Sequence, residues 1–281
     1  MIRWTRCLCI VVQVVHTLPE DEPVQGVTSL ADEVYLVRQK ERDQVEVYDV
    51  ITHRLLRCLD VPDLRGFTDM TSCEHYRCVY IANPVVMCVH RLDEQGAAVQ
   101  WPVNDSPRGL SVNAAHNVLV TCREVPKIKE FSSHGDLLRE LTLPTDVINP
   151  RHVVQLTTGQ FIVCHGRQID SVHRVCMLSS NGRQVVHAHG GQKGSEIGRY
   201  NGPLHLALGS NKFVYVVDCH NRRVTMLSPT LDYIRQVVSR DELKWCPVRL
   251  YLDKQRRRLY VADNEVRDGM LTAGRVVVFS V

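Results

Sequence analysis

Residues 189–228, HGGQKGSEIGRYNGPLHLALGSNKFVYVVDCHNRRVTMLS, decide how the chain is read. A glycine-rich lead runs into Gly202-Pro203, and three short apolar runs follow in quick succession. The second run ends in Val216-Val217-Asp218, and Asn221-Arg222-Arg223-Val224 opens the third. Each run is rich in Val, Leu and Tyr and bounded by Gly, Asn, Asp or Pro, which is the punctuation of strands. A single such unit is any β-meander; copies of it decide the architecture.

The copies are present. The third-run element recurs as His173-Arg174-Val175-Cys176-Met177-Leu178 and Gly274-Arg275-Val276-Val277-Val278-Phe279. The second-run element recurs as Leu259-Tyr260-Val261-Ala262-Asp263 and Val79-Tyr80-Ile81-Ala82-Asn83. Anchors at Pro23, Arg65, Pro107, Pro150, Pro203 and Pro247 stand roughly 42 to 53 residues apart, a spacing of propeller blades rather than helical solenoids. No window sustains a 3.6-residue apolar period, so helix is expected to be nearly absent. The fold class expected is all-β, a six-bladed β-propeller of four-stranded antiparallel blades. Inner strands are expected at 24–30, 66–70, 108–112, 152–156, 204–208 and 248–253.

The sixth unit lacks an outer strand, whereas 10–18, IVVQVVHTL, is a strand-like run without a blade. Pairing it beside 276–280 closes the ring and removes two sheet edges. The whole of 1–281 is therefore expected to be one propeller domain, with 1–9 as a disordered leader. Arg3 and Arg6 before the apolar 7–15 also suit a secretory signal, but Gln13 interrupts that run and no small-x-small cleavage site follows. The closing-strand reading is preferred, and with it a cytoplasmic location.

The fifth unit resembles an NHL repeat: glycine-rich lead, Pro203, Val-x-Asp ending at Asp218 and Asn221-x-Arg223-Val224 stand in order. The sixth unit matches in part through Asp263 and Arg275-Val276, and the first four match by spacing and strand order. This resemblance implies a binding module like the NHL propellers of tripartite-motif proteins, which engage RNA or protein. It also implies a place in substrate recruitment in a ubiquitin-ligase-like pathway. The sequence holds no RING, B-box or coiled-coil segment, so ligase activity is not carried over.

Composition narrows the rest. Of 281 residues 44% are hydrophobic and 23% charged, ample for a core, and the formal charge of +3 is too small to diagnose nucleic-acid binding by itself. No apolar run is long enough to span a bilayer, so no membrane is expected. Eleven cysteines without a Cys-x-x-Cys pair argue for buried free thiols in a reducing compartment. The nearest metal-ligating groupings are Cys73 with His75 and Cys78, His187 with His189, and Cys164-His165 with His173 and Cys176. None has structural-zinc spacing. No metal, cofactor or small-molecule substrate is expected.

Catalysis finds no nucleophile elbow, paired-carboxylate pattern or phosphate loop. The chain is read as a non-enzyme. The alternative is a propeller hydrolase or lyase with a metal in the central channel. Asp218 and Asp263 are expected to be structural, pairing with Arg223 and Arg275 or with loop N–H groups.

The candidate binding residues ring the strand entrances. Arg65, Arg108 and Arg151 align in successive blades, with His152, His205 and Arg249 one residue further on. Asn221 and Arg222 sit at a loop tip on the same face, and Arg38, Lys40, Arg42, Arg123, Lys127, Arg167, His220 and Arg267 add to it. A one-sided basic face suits an anionic partner, and arginine stacks on bases as well as forking onto phosphate. The expected partner is a protein or single-stranded RNA, engaged by a monomer; only 6% aromatic residues are available for stacking on bases.

Overall fold

The computed structural model describes residues 12–38, 44–64, 66, 69–122, 125–166, 172–268 and 270–281. It is all-β: six blades of four antiparallel strands arranged in a ring, with about 1% helix. The inner strands are Val24–Leu30, Asp69–Cys73, Pro107–Val112, Pro150–Gln155, Pro203–Leu208 and Cys246–Asp253. The leader expected at 1–9 lies outside the described residues.

Burial explains the strand pattern. Second strands such as Cys78–Asn83, Val118–Cys122, Phe161–His165 and Val214–Asp218 are buried on both faces, hence their unbroken apolar runs. Outer strands such as Leu55–Asp60 and Leu137–Thr142 alternate between exposed and half-buried positions, as the rim of a wheel requires. The core lies between neighbouring blades. Val37 and Val47 of the first blade, for example, pack with Met70 and Ile81 of the second. A larger cluster joins the fifth, sixth and first blades through Val217, Leu250, Val261 and Val27.

The ring closes as the sequence suggests. Gln13–Asp21 pairs antiparallel with Met270–Ser280, setting Val14 opposite Phe279 and Leu18 opposite Val276, and Leu18 is fully buried. Arg38 reinforces the seam: its guanidinium donates to the carbonyls of Pro19, Glu22 and Gly274 and pairs with Glu46 at 3.1 Å. Between Asp263 and Arg275 the sixth blade extends its hairpin, Arg258–Arg267 against Met270–Ser280. Asn264 on that hairpin accepts a hydrogen bond from Val24 N at 3.0 Å and donates to Val24 O at 2.7 Å. It thus extends the ladder across the last seam by means of a side chain.

Gly274 stands against this stitch. A Cβ there would lie 2.3 Å from Asn264 Oδ1 and 2.7 Å from Val24 N. Gly274→Ala is therefore expected to lower stability by about 1–3 kcal/mol, the usual cost of overpacking. Chemical denaturation measures it. A change under about 0.5 kcal/mol, the range of neutral surface substitutions, would mean that the seam is slack.

The second blade corrects the expected register. Its inner strand starts at Asp69 rather than near Gly66, and Asp69 pairs with Ala82. In the third to fifth blades the residue at that rung is Gly109, His152 or His205, two positions after the strand's opening proline and past a bulge. Arg65 was thus aligned with Arg108 and Arg151 where no proline fixes the count; it lies outside the described residues.

Candidate functional site

The inner strands present one residue each to the channel at this rung: Gly26, Asp69, Gly109, His152, His205 and Arg249. Asp69 is the centre of the group. Its Oδ1 lies 3.2 Å from His205 Nε2 and 3.2 Å from Arg249 Nε, and its Oδ2 lies 3.6 Å from His152 Nε2. Oδ2 also accepts a hydrogen bond from Leu110 N at 2.8 Å, and Oδ1 one from Met70 N at 3.0 Å. One buried carboxylate therefore ties five of the six blades. Gly109 makes room: a Cβ there would come 2.5 Å from the Arg151 carbonyl and 3.1 Å from the His152 ring.

The electrostatics follow from burial and pairing. Burial works to raise the Asp69 pKa but is outweighed by His205, Arg249 and His152, which hold it at about 2. Burial pushes His152 down to about 3, helped by His205 and opposed by Asp69, and it lowers His205 as well. Both rings are neutral near pH 7, so the Arg249 charge and N–H donation from His205 carry the stabilisation of the carboxylate. His152 Nε2 donates to Leu110 O at 2.8 Å, which fixes its proton on Nε2. The two rings sit with centroids 3.8 Å apart.

A cavity of about 380 Å³ ends on this group. Its floor includes Met70, Leu110, His152 and His205, and its walls come from the later residues of the inner strands, including Ser29, Ser72, Ser111 and Tyr251. Arg108 and Arg151, at the strand entrances, are not among its lining residues. This cavity therefore lies toward the far ends of the inner strands, on the face opposite to the strand entrances. Ser29 Oγ donates to Tyr251 Oη at 3.1 Å, and Thr28 Oγ1 to Ser72 Oγ at 2.9 Å, bracing that mouth.

The expected binding residues divide into two groups. His152, His205 and Arg249 converge, but around a carboxylate the sequence reading missed. Arg249 is not a free cation at the channel mouth, because Asp69 lies beside it. Arg108 and Arg151 are half-buried at the entrance bulges. Asn221 bonds back toward the connection from the fourth blade and Arg222 forward to the connection into the sixth, and neither lines the channel cavity. Asn221 Nδ2 donates to Gly194 O at 2.9 Å and to Asp218 Oδ2 at 2.7 Å. Arg222, in the left-handed region at φ 51°, donates to the carbonyls of Trp245 at 3.2 Å and Lys244 at 2.9 Å, and to that of Leu243. The side chains of this loop tip thus tie the fifth blade to the connections on either side of it.

Other arginines of this face are committed in the same manner. Arg223 pairs with Asp218 at 2.8 Å and Arg275 with Asp263 at 3.0 Å, as the sequence suggested. Arg174 bonds His165 Nε2 at 2.9 Å and Asp146 at 2.5 Å. Lys40, Arg42, Arg123 and Arg167 lie outside the described residues. The face also carries large apolar side chains that composition could not place: Val85 and Ile197, on two connections, are 65% and 74% exposed, Met270 at the end of the sixth-blade hairpin is 68% exposed, and Met87 and Val266 join them.

Among the described residues, the cysteine and histidine groupings named from sequence do not bring three ligand atoms together. Cys176 Sγ lies 3.5 Å from His165 Nε2, but that nitrogen also accepts from Arg174, and His173 Nδ1 accepts from Gly202 N at 2.7 Å. His75 stacks on His116 with centroids 4.1 Å apart. Among the described residues two other groups bring three ligand atoms within 4.8 Å of one another: Asp69, His152 and His205, and Cys219, His220 and Cys246.

Solved structures share this architecture. A catalytically inactive variant of virginiamycin B lyase from Staphylococcus aureus with quinupristin superposes with TM-score 0.65 at 10% identity, over 96% of this chain and 99% of that one. Hydrazine synthase from Kuenenia stuttgartiensis gives 0.63 at 13%, over 92% and 97%. The Swd1 β-propeller domain of Myceliophteria thermophila gives 0.62 at 12%, over 96% and 99%. The likeness is one of fold alone. No protein-family model matches the sequence, and no curated protein matches it. No helix among the described residues is long and apolar enough to cross a membrane.

Proposed function

We propose that the chain is a non-catalytic interaction module that docks a protein on the face formed by the strand entrances and the second-to-third-strand turns. The observation that carries this reading is the exposure of Val85, Ile197 and Met270 on that face while Arg174, Arg222, Arg223 and Arg275 are bonded within the fold. Exposed large apolar side chains grouped on one face suit a protein interface. A strand of RNA needs unpaired cations and aromatic platforms instead. The likeness of the fifth blade to an NHL repeat supports a binding role, with substrate recruitment in a ubiquitin-ligase-like pathway as the finer expectation.

The channel chemistry favours the same reading. A general base works best with a pKa near the operating pH, whereas Asp69 and His152 are held at about 2 and 3. The alternative, a hydrolase or lyase with a channel cation, has a cavity of suitable size in its favour. It would require Asp69 to exchange Arg249 for the cation.

The test uses Ile197→Glu/Met270→Glu beside Arg108→Glu/Arg151→Glu, each checked for an unchanged melting curve. A protein crosslinked by the wild-type chain in cells is expected to be lost with the apolar-to-Glu pair and retained with the arginine pair. Wild-type protein is expected not to retard a random single-stranded RNA pool at physiological salt. Retardation that the arginine pair abolishes would replace the protein partner by RNA.

A further inference from the structure

We propose that Cys219, His220 and Cys246 bind a thiophilic divalent cation of the zinc class at the seam between the fifth and sixth blades. Their two sulfurs and one imidazole nitrogen all lie within 4.8 Å of one another. Tetrahedral zinc, with bonds of about 2.3 Å to sulfur and about 2.0 Å to nitrogen, places its ligand atoms roughly 3.5–3.8 Å apart. A shift of less than about an ångström therefore takes the group to ligand geometry. His220 is exposed, Cys246 half-buried and Cys219 buried, so a cation would enter from the imidazole side and keep its fourth position toward solvent.

The ligands are held before any cation arrives. Cys219–Asn221 is a single 3-10 turn. Cys219 N donates to Gly202 O and His220 N to Asn201 O, both at 3.0 Å. Arg222 N closes the turn on Cys219 O at 3.0 Å, and its guanidinium grips the carbonyls of Lys244 and Trp245, the two residues before Cys246. Cys246 opens the inner strand Cys246–Asp253. Two elements from different blades are thus fixed relative to each other, with sulfur on both sides and a histidine between, which is the preorganisation a metal site needs.

Ligand type selects the cation. Two sulfurs and an imidazole suit zinc and disfavour magnesium and calcium, which take oxygen. A disulfide between the same sulfurs would leave His220 without a role. Binding displaces the thiol protons of Cys219 and Cys246 to solvent and yields a neutral dithiolate–metal unit. The consequence is a clamp between neighbouring blades next to the docking face.

Cobalt(II) reports on the site directly. Reduced, chelator-treated protein is expected to take up one equivalent of Co²⁺ with thiolate-to-cobalt charge-transfer absorption and tetrahedral visible bands, both bleached by Zn²⁺. Cys219→Ser and Cys246→Ser should abolish the signal, and Cys58→Ser, at an exposed cysteine, should leave it intact. Loss of even an outer-shell partner costs roughly 10–100-fold in metal affinity, so His220→Gln is expected to weaken binding by at least that much. Because His220 is exposed, that variant keeps the test valid if a cysteine variant fails to fold. The proposal is overturned if the wild-type chain gives no charge-transfer band, or if His220→Gln and Cys246→Ser bind Co²⁺ as tightly as it does.

Discussion

Asp69→Ala is expected to lower the unfolding free energy by about 3–5 kcal/mol, the cost of leaving a buried charge without its partner. The loss is large because the carboxylate touches groups from the second to the sixth blade: Met70 N, Leu110 N, His152, His205 and Arg249. Removing it leaves the Arg249 guanidinium facing two neutral imidazoles that are both buried. Asp69→Asn keeps the shape but loses the charge, and should fall between wild type and alanine. Asp69→Leu/Arg249→Met, which removes both charges, is expected to recover more than half of the loss, since paired buried ions are often replaceable by apolar residues of similar volume. Urea unfolding at pH 7 measures all four proteins. A loss below about 1 kcal/mol for Asp69→Ala would show that the ring is held by blade packing alone.

The wheel was legible because its determinants are local. Period, strand punctuation and an unassigned apolar run were enough to place six blades and to pair residues near Leu18 with those near Val276. Asp218 and Asp263 are legible as partners of Arg223 and Arg275 because each arginine opens the strand that pairs beside its aspartate. The channel group was not legible, because its members are brought together by ring closure: Asp69 and His205 are 136 positions apart. The error lay in one register. Counting back from the hairpin Asp69–Cys73 and Cys78–Asn83 places Asp69 on the rung of His152 and His205, whereas counting forward from Arg65 does not. The basic ring legible in the sequence therefore lacks the acid at its centre. Cys219 and Cys246 escaped for a similar reason: 27 residues apart in sequence, they meet only because the fifth blade must close before the sixth begins.

The pH dependence of stability should carry the signature of His152. Its pKa in the folded ring is about 3 against 6.5 for an ordinary histidine, with burial the main cause and His205 adding to it. The unfolded chain therefore binds a proton below pH 6.5 that the folded ring refuses. The stabilisation is complete above pH 6.5 and is lost as pH falls toward 3. Over that window one such group contributes a slope of about 1.4 kcal/mol per pH unit. His53, pushed down to about 4 by burial and by His16 stacked 4.4 Å away on the closing strand, adds a second slope of the same sign down to its own pKa. Asp69, held at about 2 against 3.8, takes over only at the acid end, losing its share between those two values. Between pH 6.5 and 4.5, His152→Gln, which can still donate to Leu110 O, should therefore flatten the wild-type slope by about 1.4 kcal/mol per pH unit. His53→Gln should remove a further part of it, and Asp69→Asn should leave the slope in this window intact. Guanidinium unfolding at half-unit pH intervals separates the three. An unchanged slope in His152→Gln would mean that the imidazole is protonated inside the ring, with Asp69 rather than burial setting its charge.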